Sequence, residues 1–366
     1  MQVSSFDCCI LGAGIAGLSL ADALTEYGQK ICVLEKHKIA AGASGTPLGM
    51  VNPATGRRAT KTWRAEQCYR AISENLEKAS HHSRHTFYRA NGVLRPAITE
   101  KMARKMRDQL ETTTWPDGWC VWLEKPEIQD KHPGITCVEG GLWLPIGLTV
   151  DVSKYLRALG RYLQSQGATI LENVNYRVTE DASGWMLNTG GAAIACKKLV
   201  YATGYQMTKD PLWDFLPLHP IKGQMAIFRP GRPLNFGHSI SSLGYIAHLN
   251  DQTFAQGSTY EHDFDSLEPD DYGEEYLRNR MKRTLPELEK SSELIDQWAG
   301  VRISTPNRKP VLGPHPRKPN LFAYTGLGSK GLMYGKYLAG RYAEFLVDGR
   351  PLPKEVDIAR FVNNPA

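Results

Sequence analysis

The sequence predicts an α/β protein. A parallel-sheet domain, assembled from separated stretches of chain, is joined to a mixed α+β domain with an antiparallel sheet. Three observations carry this. Residues 6–35 read as a strand, a glycine turn, a helix and a second strand. From Pro217 to about Ser258 come strand-like runs, IKGQMAIF, SISSLGYIAHL and QTFAQGS, with no helical pattern between them. Near the C-terminus, LFAYTGLGSKGLMYGKYLAG returns to a strand, a glycine turn and a helix.

The first unit holds the strongest motif. Gly12-Ala13-Gly14-Ile15-Ala16-Gly17 has the GxGxxG spacing. Gly12 permits the tight turn, Gly14 lets the backbone approach a pyrophosphate, and Gly17 lets helix and strand pack closely. The helix start offers free N–H groups and a positive dipole end to that pyrophosphate. Glu35 closes the second strand, followed by Lys36, and its carboxylate can accept both hydroxyls of a ribose. The same carboxylate would repel a 2′-phosphate. A Rossmann-like dinucleotide unit follows, with NADP disfavoured and NAD and FAD both open.

After this unit, residues 40–56 are too rich in glycine and proline for regular structure, a loop suited to approach a flat ligand. Residues 63–90 read as a long amphipathic helix, and Thr99 to Thr112 as a second helix with a basic face. The tryptophan-rich stretch 115–145 reads as irregular. A further helix opens at Asp151, its N-cap, and stops at Gly167. Strands are expected at 168–171, 185–189 and 194–201, the last ending in the small-residue turn Ala202-Thr203-Gly204. The helix over 270–283 places acids first and bases last, which complements its dipole and reads as structural.

Length and composition set outer limits. The 366 residues exceed what one core usually serves, and 42% hydrophobic with 22% charged residues suits a globular enzyme. No apolar run approaches the ~20 residues that span a bilayer, and the early first strand leaves no room for a cleavable signal. The seven cysteines lack CxxC spacing, which predicts a reducing, cytoplasmic setting. No metal site is expected: His81 and His85 share helical spacing but have no third ligand nearby. The net charge of +6 permits nucleic-acid binding without requiring it.

Together, GAGIAG with Glu35, the GASG loop, YATG, PIKGQM, GYI, VRISTPNRKPVLGP and TGLGSKGL stand in an order that resembles the D-amino-acid oxidase-like FAD-dependent oxidoreductases. That family includes glycine oxidase, sarcosine oxidase and the C-terminal oxidoreductase domain of a bifunctional tRNA-modifying enzyme, which GSTYEHDF and TGLGSKGL also resemble. The resemblance covers essentially the whole chain. It implies a glutathione-reductase-like FAD-binding domain from residues 1–85, 145–215 and 298–366, and a substrate-binding domain from 86–144 and 216–297. It also implies oxidation of a C–N bond in an amino acid or N-substituted glycine. A hydride passes to flavin N5, the imine is hydrolysed, and O2 or another acceptor takes the electrons.

On this resemblance Arg302 grips the substrate carboxylate, Tyr245 faces the substrate, and Lys330 adds charge near the flavin. The FAD contacts would come from Gly12 to Gly17, Glu35, Lys36, Ala43, Ser44, Gly45, Val174, Ala202, Thr203 and Gly204. The reactive end would rest on Gly326, Gly328, Ser329, Lys330, Gly331 and Leu332. The turn offers Ser329 and no cysteine, so noncovalent FAD is expected. Two alternatives stay open: a tRNA wobble-uridine carboxymethylaminomethyl group as the amine, and a noncatalytic flavoprotein subunit. In the tRNA case the basic residues Lys101, Arg104, Lys105 and Arg107 would be the first contact to consider.

Overall fold

A computed structural model describes residues 3–181 and 184–362. Its first sheet has eight strands. The parallel part runs Thr169–Leu171, Ile31–Leu34, Val3–Leu11, Ala193–Tyr201 and Leu321–Thr325. Gly184–Asn188, Arg177–Asp181 and Val311–Pro314 are antiparallel additions. Both faces are buried, as a parallel sheet requires. Cys8, Ile10, Ile31 and Val33 enter one core, while Cys9, Leu11, Cys32 and Leu34 alternate into the other.

The helices Ile15–Glu26, Ala65–Ser80, Val152–Ser165 and Gly331–Asp348 contribute to the first of these cores. Three of them are tied by one buried acid. Asp22 accepts hydrogen bonds from Asn75 at 2.6 Å and Lys78 at 2.6 Å, and it also pairs with Lys336. Asp151 caps its helix through the Lys154 N–H at 2.9 Å, as the sequence predicts.

The second sheet also has eight strands, in the order Ser292–Ser304, His219–Pro230, Phe254–Gly257, Tyr245–His248, Ser239–Ser241, Val93–Pro96, Gly140–Leu144 and Val121–Glu124. All neighbours are antiparallel except Ser239–Ser241 beside Val93–Pro96. Helix Asp271–Thr284 packs on it through Leu277 and Met281. Among the described residues no helix is long and apolar enough to cross a membrane.

Several local expectations are corrected. The 63–90 helix ends at Ser80, and the chain leaves it for the short strand Tyr88–Arg89, so His81 and His85 do not share a helix face. Residues 40–56 hold the 3-10 turn Ala43–Gly45 and the strands Gly49–Val51 and Ala54–Thr55. The stretch 115–145 contains strands Val121–Glu124 and Gly140–Leu144 around helix Lys125–Lys131. Pairing partners far along the chain order these segments, which local composition does not register. The long strand Ser292–Ser304 escaped the sequence reading, and it runs through the expected boundary at 298.

Candidate active site

The fingerprint folds tightly against the strand end beside it. Gly12 has φ +103°, and a Cβ there would stand 2.6 Å from the Ala202 carbonyl oxygen. Glycine is therefore what lets the turn lie on the Ala202-Thr203-Gly204 strand end. Gly14 caps helix Ile15–Glu26 in an extended conformation, and the helix carries no acid in its first turn. Ser44 Oγ accepts a hydrogen bond from the Ile15 N–H at 3.0 Å, which draws the Ala43–Gly45 turn over the helix start. The Glu35 carboxylate accepts from the Ala13 N–H at 2.9 Å and the His37 N–H at 3.0 Å. A carboxylate accepts about four hydrogen bonds, so it can still receive two ribose hydroxyls.

These elements open on a cavity of about 2510 Å³. Single drug-sized ligands occupy roughly 300–1,000 Å³, so it has room for a dinucleotide and a further molecule. Its wall includes Gly12, Gly14, Ile15, Ala16, Glu35 and Lys36, with Ala43, Ser44 and the Ala202-Thr203-Gly204 turn. Ala13, Gly17, Gly45 and Val174 stand outside the wall. Gly17 packs against the Gly12 carbonyl and Gly45 against that of Ala40, while the Val174 N–H donates to the Glu35 carbonyl at 3.1 Å.

The wall also includes Gly326, Gly328, Ser329, Lys330, Gly331 and Leu332, together with Arg302 and Tyr245. Arg302 lies on strand Ser292–Ser304 opposite Ile221. Its Nη1 donates to Ser258 Oγ at 3.0 Å, its Nη2 to the Thr259 carbonyl at 2.7 Å, and Tyr260 covers the guanidinium at 4.3 Å. Two of five donors are thus engaged, and no carboxylate among the described residues pairs with it. The next residue, Ile303, accepts from the Gly328 N–H at 2.8 Å, which ties the glycine turn to the strand carrying Arg302.

Tyr245 is half-buried, and its hydroxyl donates to the Leu48 carbonyl at 2.7 Å. Burial holds its pKa above the ordinary phenol value. With Leu48, Met225 and Trp298 it forms an apolar wall patch. Lys330 opens helix Gly331–Asp348, with its ammonium 5.5 Å from the Tyr334 ring. Burial, then the charge of Arg308, lowers its pKa. Burial and Lys330 do the same to Lys309, which sits over Trp63 at 4.6 Å. The amides of Gly328 and Lys330 are engaged within the protein, by Ile303 and Leu327.

The sequence reading missed Ser258, Thr259 and Tyr260 as the cradle of Arg302, and Arg308 and Lys309 as companions of Lys330. GSTY and NRK were visible as strings, but pairing across the sheet is what gives them these roles. Arg95, buried in the wall, carried no sequence signal at all.

The chain is 28% identical over 394 residues to a tRNA 5-methylaminomethyl-2-thiouridine biosynthesis bifunctional protein from Polaromonas sp. (strain JS666), covering 96% of this chain and 58% of that protein. This chain thus spans about three fifths of the length of such curated relatives. Its fold matches glycine oxidase from Geobacillus kaustophilus with a TM-score of 0.82, at 22% identity over 98% of both chains. It also matches L-proline dehydrogenase from P. horikoshii with a TM-score of 0.84, at 18% identity over 99% of both. The profile of the family described as FAD dependent oxidoreductase matches residues 7–344. With the fingerprint, the cavity and this match in place, the chain belongs to the DAO family of FAD-dependent oxidoreductases.

Proposed function

We propose that this enzyme oxidises the C–N bond of an amino acid or N-substituted glycine, with Arg302 as the carboxylate clamp. One observation carries the reading: Arg302 lines the cavity, free of any acid and oriented by Ser258, Thr259 and Tyr260, on a strand bonded to the turn at Gly328. A guanidinium so held binds a carboxylate through paired hydrogen bonds and fixes which C–H points down the cavity. The patch of Leu48, Met225, Tyr245 and Trp298 excludes water and disfavours an ammonium, so the amine is held neutral. Bound FAD supplies the hydride acceptor. Arg308, Lys309 and Lys330 gather positive charge where the cavity meets the glycine turn, which favours a ligand that gains negative charge there. Gly12 to Ala16, Glu35, Lys36 and Ser44 serve the adenosine and pyrophosphate end, and Ser329 in place of a thiol leaves the cofactor noncovalent. The product imine hydrolyses, and O2 or another acceptor closes the cycle.

Glycine, sarcosine and D-amino acids mixed anaerobically with the FAD-loaded protein test this. Bleaching of the flavin band by at least one at millimolar concentration is expected, slowed about a hundredfold or more in Arg302→Lys. No bleaching by any of them discards this substrate class.

A second reading keeps the chemistry and takes the carboxymethylaminomethyl group of a tRNA wobble uridine as the amine, itself an N-substituted glycine. The relative named for tRNA modification, aligned over nearly all of this chain, favours it. Binding of tRNA that weakens steeply with salt is its signature, and no salt-sensitive binding sinks it.

A further inference from the structure

Arg95 is the least explained charge in the molecule. It lies on strand Val93–Pro96, is 4% exposed, and lines the same cavity as Arg302. Its Nη1 donates to Ser241 Oγ at 3.1 Å and its Nη2 to the Gly56 carbonyl. Its buried Nε has no hydrogen-bond partner, and no carboxylate among the described residues pairs with it. Burial lowers its pKa to about 10, so it remains cationic at neutral pH. Buried charges are normally paired, because removing a guanidinium from water without an anion is costly. Near it in the wall, and without a carboxylate partner among the described residues, stand Arg57 and Arg58 on the turn between Ala54–Thr55 and Thr60–Lys61, and Arg280, whose Nη1 donates to the Leu243 carbonyl.

The position of this group matters as much as its charge. In the second sheet Arg302 is on one edge strand and Arg95 five strand-steps away. Their side chains reach toward each other, Arg302 to Ser258 just past strand Phe254–Gly257 and Arg95 to Ser241, which leaves the two guanidinium groups about two steps apart, roughly 10 Å at about 4.8 Å per step and still more than one glycine-sized ligand spans. The fingerprint offers no alternative use, since its phosphate-binding turn lies on the other sheet.

We propose that Arg95, with Arg57, Arg58 and Arg280, forms a second anion subsite that holds a phosphate carried on the N-substituent of the substrate, remote from the reacting amine. This rests on the amine-oxidation reading for the other end of the cavity. Arg95 supplies the desolvated contact, and the exposed Arg57 and Arg58 guide the anion inward. The substrate class is therefore a large, phosphate-bearing N-substituted glycine.

Calorimetric titration of the FAD-loaded protein with inorganic phosphate tests the proposal. Saturable binding is expected, weakened tenfold or more in Arg95→Met and about threefold in the double variant R57Q/R58Q. It should persist in Arg302→Lys and at saturating sarcosine. Should Arg95→Met fail to fold, the double variant decides, because both of its positions are exposed. Uridine 5′-monophosphate and a ten-nucleotide single-stranded RNA, used as competitors, separate a phosphorylated small molecule from a polynucleotide. RNA that displaces phosphate far more tightly, with a steep loss in salt, identifies the polynucleotide source. Equal phosphate binding in wild type and both variants overturns the subsite, even if N-substituted glycines reduce the flavin. Phosphate binding lost with Arg95, in a protein that no amine reduces, keeps the subsite and discards the oxidation reading.

Discussion

Gly223 shows how one hydrogen atom can decide the clamp. A Cβ on Gly223 would meet the Arg302 guanidinium at 2.3 Å, so the side chain lies across the neighbouring strand only because position 223 is bare. Gly223→Ala is expected to raise KM for carboxylate-bearing amines tenfold or more while FAD content stays at wild-type level, as read by steady-state kinetics and flavin absorbance. An unchanged KM would mean that the guanidinium has room elsewhere. The sequence revealed such roles unevenly. The placement of Gly12, Gly14 and Glu35 in the cavity wall was legible because it depends on spacing within a single βαβ unit. Arg302, which lines the cavity, was singled out through resemblance alone. The cradle of Ser258, Thr259 and Tyr260, and the buried Arg95, depend on which strands lie side by side, and neither period nor composition encodes that.

Among the elements, the edge of the second sheet carries a pH-sensitive pair. His132 and His238 meet edge to face at 4.4 Å, and each has a buried ring nitrogen without a partner. Burial lowers both pKa values, that of His238 from 6.5 to about 4, with His132, Lys131 and His248 adding repulsion. A folded pKa below the unfolded one means that the unfolded chain binds the proton first. Stability is therefore full above pH 6.5 and is lost as pH falls toward 4, by roughly 2 kcal/mol for His238 after allowing for its partial exposure. Thermal melts between pH 7 and 4.5 should show a steeper fall in Tm for wild type than for His238→Gln. Parallel profiles would remove this pair as the source. The helices were easier to foresee than this edge. Asp151 caps its helix as the sequence predicts, accepting an N–H bond three residues on at 2.9 Å, and Asp270, read as the first acid of its helix, proves to be that helix's cap at 3.0 Å. Strands Val121–Glu124 and Gly140–Leu144 were missed because tertiary pairing overrides weak local preference.

For the whole molecule, one cavity bounded by both sheets implies that its ligand stabilises them together. At a hundredfold excess over Kd, FAD is expected to add about 2.7 kcal/mol and raise a single melting transition by several degrees, followed by tryptophan fluorescence. Two transitions, only one moving with FAD, would show that the sheets unfold separately. The discontinuous first domain was legible from the order of its glycine turns. Strand Ser292–Ser304 was not, because no turn signal marks its start in the sequence. That strand pairs with His219–Pro230 along its length, then runs on toward the glycine turn through the bond between Ile303 and Gly328. The ribbon has a consequence for recombination between relatives. A crossover inside residues 219–304 would give each half of the pair a different parent, and Arg302 would lose its matching floor at Ile221 and Gly223. Exchanged whole, that block carries floor, arginine and cradle together, so the proposed carboxylate clamp would be inherited as one cassette while the nucleotide-binding frame stays behind.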